Sequence, residues 1–404
     1  MRPLLLLALA TLLACSPAAD PVVAFVSRDS AGIAIAENTM ELVTASCVAD
    51  SVPAVRIGGQ EDNDDYFLYR VMGVSRLSDG RIAVVNQGTQ EVRWYGPDGK
   101  LVGRAGREGQ GPGEFSDAFL IYPTVGDTVW VGDSPPWQWH VFGPDMQFHR
   151  TVRNSPNEVN SPRIAAVMAD GQQLFAVGAL GRRGNFEMDS ISILRFGADG
   201  LLRDTALTIP SGRFGQIGSD PSSIWMQPWF EAFAQAEGSG SHFVAATWGQ
   251  PELTVYRVED SFMPVRIIRW TTNDRTVPAS AVEAAREKLA NQYPNLDPAM
   301  KARMIDPMID GARPVAENFP AVSGIVIGRD GRIWVRTYTV TDATQTEWIA
   351  FSAEGKAECR MSLPASSIRE FSVSEIGADY ILATGADSLG MEWVAEYRFR
   401  GAGR

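Results

Sequence analysis

Side chains able to do chemistry are few here and widely spaced. "EDNDD" (61–65) gathers Glu61, Asp62, Asp64 and Asp65. Calcium favours such oxygen ligands, although the glycine and terminal glutamate of an EF-hand loop are missing. A solvated acidic loop is the plainer reading. The three histidines, His140, His149 and His242, show no His/His/acid spacing that would hold zinc. No G-x-S-x-G motif marks a serine nucleophile. Two arginines, Arg182 and Arg183, sit in "GRRGNFEMD" (181–189), where they could meet an acidic ligand. Arg107 and Glu114 sit in "GREGQGPGEF" (106–115). Trp137, Trp139, Trp225 and Trp229 lie in or beside loops, where they either line a ligand cleft or pack between sheets. Asn86, Asp133 and Asp387 each end an apolar run. At that level they could serve a metal-assisted hydrolase, or they terminate strands and cap loops.

"GREGQGPGEF" has the glycine content of a phosphate loop but not its chemistry. No Lys-Ser/Thr follows, the spacing is not G-x-G-x-x-G, and no helix opens behind it. Its role follows from the elements around it. In "VSRLSDGRIAVVNQGTQEVRWYGPDGKLVGRAG" (74–106), four alternating apolar runs are joined by the tight turns "SDGR" and "PDGK". Glycine accepts positive φ and aspartate caps its own turn, so each is a hairpin signal. The unit returns at 118–153, 162–209, 229–270 and 321–364, and with only three strands at 370–400. A spare run, "VPAVRIGG" (52–59), precedes the first copy. Four-strand units of about 40–50 residues are the signature of propeller blades. The expected fold is all-β: a six-bladed β-propeller, with 52–59 pairing with 392–400 to close the ring and remove its sheet edges. A β-sandwich would explain neither the short last unit nor the spare first strand.

Residues 271–320 break the repeat between the fourth and fifth units. "SAVEAAREKLANQ" carries helical spacing at Val282, Ala285 and Leu289, and Ser280 with Glu283 has the form of a capping box. "DPAMKARMIDPMIDGA" restarts with Asp297 as cap and Pro298 in the first turn. This is a two-helix insertion rather than a second domain. Strand alternation puts the tight turns on one face. The long connections 58–67, 106–115, 181–189 and 210–223, with the insertion, fall on the other. Binding residues concentrate on long loops over a rigid scaffold, so the long-loop face around the central channel is the expected site.

"GREGQGPGEF" resembles the G-x-G-x-G-P-G-E-F segment of NHL-like repeats. With "LSDGRIAVVNQG", "RWYGPDGKLV" and "DTVWVGD", the chain resembles the lipoprotein-type six-bladed propellers of bacterial envelopes over nearly all of 50–400. The resemblance implies the fold and carries over no functional residue.

The N-terminus points the same way. "MRPLLLLALATLLAC" is one arginine, an apolar run too short to span a bilayer, and a small residue before Cys15. "LLAC" (12–15) resembles the lipobox of bacterial lipoproteins, which implies cleavage after 14 and acylation of Cys15. Ser16 is not aspartate, so no inner-membrane retention signal is implied. The expected organisation is a signal peptide (1–14), a lipid-anchored tether and N-terminal segment (15–50), with 16–30 as the tether itself, and the propeller (51–404). The localisation is the outer membrane or the periplasmic side of the envelope, with membrane contact through the lipid only. In an oxidising compartment Cys47 and Cys359 are either a disulfide or two separate buried thiols. The net charge of −12 over 404 residues argues against nucleic acid as a partner. No cofactor is evident beyond the calcium reading. The function expected is a binding or scaffold module for a protein or small-molecule ligand. The alternative is a metal-assisted lactonase-like hydrolase or lyase at the channel mouth.

Overall fold

The computed structural model describes residues 23–60, 62–134, 137–155, 163–178, 185–218, 223–246, 249–259, 261–340, 343–365 and 371–401. The fold is mostly β and propeller-like, with six antiparallel sheets following one another along the chain. Sheet 1 holds Val71–Arg76, Ile82–Asn86, Glu91–Tyr95 and Leu101–Ala105. Sheet 2 holds Ala118–Pro123, Val129–Asp133, Gln138–Phe142 and Phe148–Arg153. Sheet 3 holds Arg163–Val167, Gln173–Gly178, Glu187–Phe196 and Leu202–Ile217, with Ile224–Met226 at its edge. Sheet 4 holds Gln235–Ser239, His242–Ala246, Glu252–Val258 and Phe262–Trp270. Sheet 5 holds Gly324–Ile327, Ile333–Arg336, Gln345–Phe351 and Ala357–Pro364. Sheet 6 holds Ser372–Ile376, Tyr380–Ala386 and Glu392–Arg400.

Burial explains why these runs pack as they do. Ile82–Asn86, Val129–Asp133 and Gln138–Phe142 are buried at every position, so both faces of these strands meet neighbouring sheets. Leu101–Ala105 alternates between half-buried and exposed, as an outer strand should. Six apolar cores fill the gaps between consecutive sheets. Trp94, Val131 and Phe142 lie between sheets 1 and 2, and Trp139, Val167 and Phe175 between sheets 2 and 3. Phe243 meets Ile193 between sheets 3 and 4, and Phe351 meets Ile268 between sheets 4 and 5. Trp334 and Ile381 join sheets 5 and 6, while Leu382 and Val394 meet Ile82 and Val84 between sheets 6 and 1.

The N-terminal segment runs along three of these sheets. Phe25–Ser30 and Ile33–Asn38 form a hairpin, and its second strand pairs in parallel with Phe262–Trp270 of sheet 4. This differs from the tether expected over 16–30. Ala31 and Gly32 have φ of 54° and 83°, the primed turn that a two-residue hairpin needs, and "FVSRDSAGIAIAEN" alternates around it. Cys47 is disulfide-bonded to Cys359 in the outer strand of sheet 5, 312 residues away. Val55–Gly58 then pairs antiparallel with sheet 6, with Gly58 opposite Trp393 and Val55 opposite Glu396.

The insertion contains α1 (Ala279–Asn291) and α2 (Pro298–Met304). The capping box expected at Ser280 is absent. Pro278 is the N-cap, Ser280 lies within the first turn, and Glu283 pairs with Arg286 instead. A proline at the boundary pre-sets the chain and moves the helix start back two residues. Asp297 does cap α2, accepting from the Ala299 and Met300 amides. Arg313 fixes the end of the insertion. Its guanidinium lies 3.8 Å from the Trp229 ring centroid, and its Nε donates to the Gln227 carbonyl.

Candidate functional site

Several of the residues singled out in the sequence serve their own loops. Arg107 donates to Glu114 Oε1 through Nε and Nη2, and Glu114 Oε2 accepts from the Gly111 amide. The Gly111 amide and Arg107 together hold the Glu114 carboxyl below the usual range. Asn86 is fully buried; its Oδ1 accepts from the Tyr69 amide and its Nδ2 donates to Thr89. Asp133 is also fully buried and accepts from the Ser116 and Asp117 amides and from Gln138 Nε2. Burial opposes its ionisation, but His140, Asp117 and Gln138 outweigh that and keep its carboxyl low. Asp387 accepts from the Leu389 and Met391 amides.

Trp137 packs edge-on against Phe119, with ring centroids 5.0 Å apart. In the acidic loop Asp65 pairs with Arg104, and the Asp64 carbonyl accepts from Arg93. Among the described residues no group of three His, Cys, Asp or Glu side chains could hold a metal ion. Cys15, Glu61, Arg182 and Arg183 lie outside the described residues.

A different set of residues converges between the first strands. These strands contact one another in succession through all six sheets, and the first strand of sheet 6 also contacts that of sheet 1. Between them lies a cavity of about 150 Å³, lined by Ser75, Tyr122, Val167, Glu237, Val326 and Glu375 among others. A larger space of about 470 Å³ shares Pro123, Ser239, Gly240, Ile327 and Arg329 with it and continues past Val125, Gly328 and His242. Those residues lie in, or at the strand ends beside, the tight turns between first and second strands. The long-loop face was the expected site, yet these spaces lie at the opposite end, where short turns leave the room between strands uncovered.

The polar groups in the cavity fall into two sets. On one side Glu375 is fully engaged. Ser75 Oγ donates to its Oε2 at 2.5 Å, Arg329 Nε approaches its Oε1 at 3.3 Å, and the Tyr380 hydroxyl donates to Oε1. Arg329 Nη2 also donates to Ser75 Oγ and to the Arg76 carbonyl, both at 2.9 Å. Burial first, and then the Glu375 charge, push the Tyr380 phenol up. On the other side stands Glu237. It is half-buried and receives the Gly238 amide, but has no salt-bridge partner among the described residues. Burial pushes its carboxyl up to about 8. Tyr122 lines the same cavity; burial and then the Glu237 charge raise its phenol.

Sequence reasoning missed Ser75, Tyr122, Glu237, Arg329 and Glu375. The available signal was a polar residue in a first strand, such as Glu237 in "AQAEGS" or Glu375 in "FSVSEIG".

No family model matches the sequence, and no curated protein matches it. Solved structures do resemble the chain in shape. A Bacteroides fragilis protein named as a candidate exported protein aligns at 11% identity with a TM-score of 0.47, covering 90% of this chain and 98% of its own. A member of the DUF4221 family from Bacteroides vulgatus aligns at 9% identity with a TM-score of 0.46, covering 89% and 99%. A gluconolactonase from Xanthomonas campestris aligns at 11% identity with a TM-score of 0.38, covering 83% and 87%.

Proposed function

We propose that this chain is an extracytoplasmic, lipid-anchored propeller of six blades that binds a small molecule between its first strands. The observation carrying the reading is the inner cavity, into which residues from six successive strands project polar and apolar groups together. Concave sites with a few convergent polar groups on apolar walls are the usual form of small-molecule sites. The pairing of Val55–Gly58 with sheet 6 and the core between sheets 6 and 1 support a closed ring. Closure makes the walls rigid, which lowers the ordering cost of binding. Binding is favoured over hydrolysis because Asn86 and Asp133 are consumed by loop capping.

Native mass spectrometry of the full chain purified from an envelope fraction tests the reading. A stoichiometric small molecule should be present, and Ser239→Trp should exclude it. A wild-type protein that retains no ligand and binds none from an envelope extract overturns it. The anchor is checked separately: Cys15→Ser should release the protein from membranes, and a variant that stays fully membrane-bound refutes acylation.

A further inference from the structure

We propose that the inner cavity is an ammonium site, in which Glu237 and Tyr122 receive the protonated amine of a small ligand and the apolar first strands receive its carbon chain. This deepens the channel-binding reading and rests on it.

The charge inventory of the cavity carries the inference. Glu375 and Arg329 form a pair, and Ser75 and Tyr380 complete the hydrogen bonds of that carboxylate. This side of the cavity is internally satisfied. Glu237 on the first strand of sheet 4 is not. Among the described residues its carboxyl has no side-chain hydrogen bond or ion pair, and the titratable group beside it in the cavity wall is the Tyr122 phenol, which can supply no positive charge. Glu237 is half-buried, and a partly desolvated acid without a cation costs stability that a glutamine in its place would not.

A ligand ammonium supplies the missing charge. Charge-assisted hydrogen bonds to a carboxylate are short and strong, and the face of a tyrosine ring attracts the same cation. Val74, Ile121, Val167 and Val326 offer a short alkyl chain an apolar surface. About 150 Å³ suits a small linear amine rather than a peptide or a nucleotide. The upward shift of Glu237 agrees with this, since an isolated acid keeps its proton until a cation arrives. The other groups facing the cavity are Tyr122 from sheet 2, Arg329 from the turn of sheet 5 and Glu375 from sheet 6. Sheets 1 and 3 contribute Ser75 and Val167, which do not titrate.

The test titrates the full chain by calorimetry with n-butylammonium, n-butanol and butyrate at about pH 9, where both the carboxyl and the amine are charged. n-Butylammonium should bind saturably and the other two should not. Glu237→Gln should weaken it at least tenfold, and Tyr122→Leu should weaken it several-fold. Ser239→Tyr, which narrows the entrance, should abolish it. Binding of butanol or butyrate that Ser239→Tyr removes and Glu237→Gln spares overturns the ammonium assignment and leaves the channel as the site. Binding of n-butylammonium that Ser239→Tyr does not touch overturns the channel itself. Absence of binding by all three overturns the ammonium site, while a native ligand excluded by Ser239→Trp would keep the channel reading standing.

Discussion

Ser75 and Glu375 lie 300 residues apart in sequence, and the Ser75 hydroxyl donates to the Glu375 carboxylate at 2.5 Å. The bond joins the first strand of sheet 1 to the first strand of sheet 6. Arg329 bridges both from sheet 5. Glu375→Ala strands Arg329 and the Tyr380 hydroxyl, so it should cost about 2 kcal/mol. Ser75→Ala removes one bond and should cost about 1 kcal/mol. Urea unfolding midpoints at constant slope check both values, and equal midpoints for the two variants would count against the clamp.

Glu237 should make stability depend on pH. Burial pushes its folded carboxyl up to about 8 from an ordinary 4.5, so between these values the folded state should hold a proton that the unfolded state has released. Stability therefore falls as pH rises through this window, and it levels off above. The slope approaches about 1.4 kcal/mol per pH unit as an upper limit. Glu237→Gln should flatten that part of the profile and be the more stable protein at pH 9, a comparison that denaturant titrations across the range would give.

Cys47 and Cys359 cross-link the N-terminal segment to sheet 5. Removing such a link typically costs about 2–4 kcal/mol. Cys47→Ser should lower the melting temperature, and reductant should lower that of the wild type but not of the variant. A wild type indifferent to reductant would refute the contribution.

Gly58 tests the pairing of the N-terminal strand with sheet 6. It has φ of +90°, and a Cβ there would lie 2.5 Å from the Glu392 carbonyl oxygen and 2.8 Å from Leu68 Cδ1. Gly58→Val should destabilise by more than about 2 kcal/mol and expose an edge, with aggregates visible by size-exclusion chromatography. A monomer of unchanged stability would mean that the strand is dispensable.

The repeats were legible because each is written locally. "SDGR" and "PDGK" announce their own hairpins, and the spare run 52–59 stood out against a last unit lacking a strand. The hairpin of residues 25–38 was hidden by its position next to the expected anchor, although Ala31-Gly32 carried the turn. The cavity was harder to see. Ser75, Glu237 and Glu375 come from three different units, and each alone reads as an ordinary polar residue in a half-buried strand. Which of them meet depends on long-range packing, not on spacing. Glu114 is the opposite case. Its partners, Arg107 and Gly111, stand within a few residues of it in the same loop.

The course of the N-terminal segment also determines how the molecule carries mechanical load. A pull on the N-terminus first reaches the strands Phe25–Ser30 and Ile33–Asn38, which lie at the edge of sheet 4 and peel bond by bond. Beyond them the buried Met40 is held by Thr271, and Ala45 and Ser46 by the Arg360 backbone, before the chain reaches the covalent link at Cys47. There the disulfide offers tension a covalent path into the outer strand of sheet 5, ahead of Val48–Ala49 and Val55–Gly58, which pair with sheet 6. Residues 25–38 are thus the part placed to yield first, and the Cys47–Cys359 bond stands as a covalent stop ahead of the strand pairing of sheet 6.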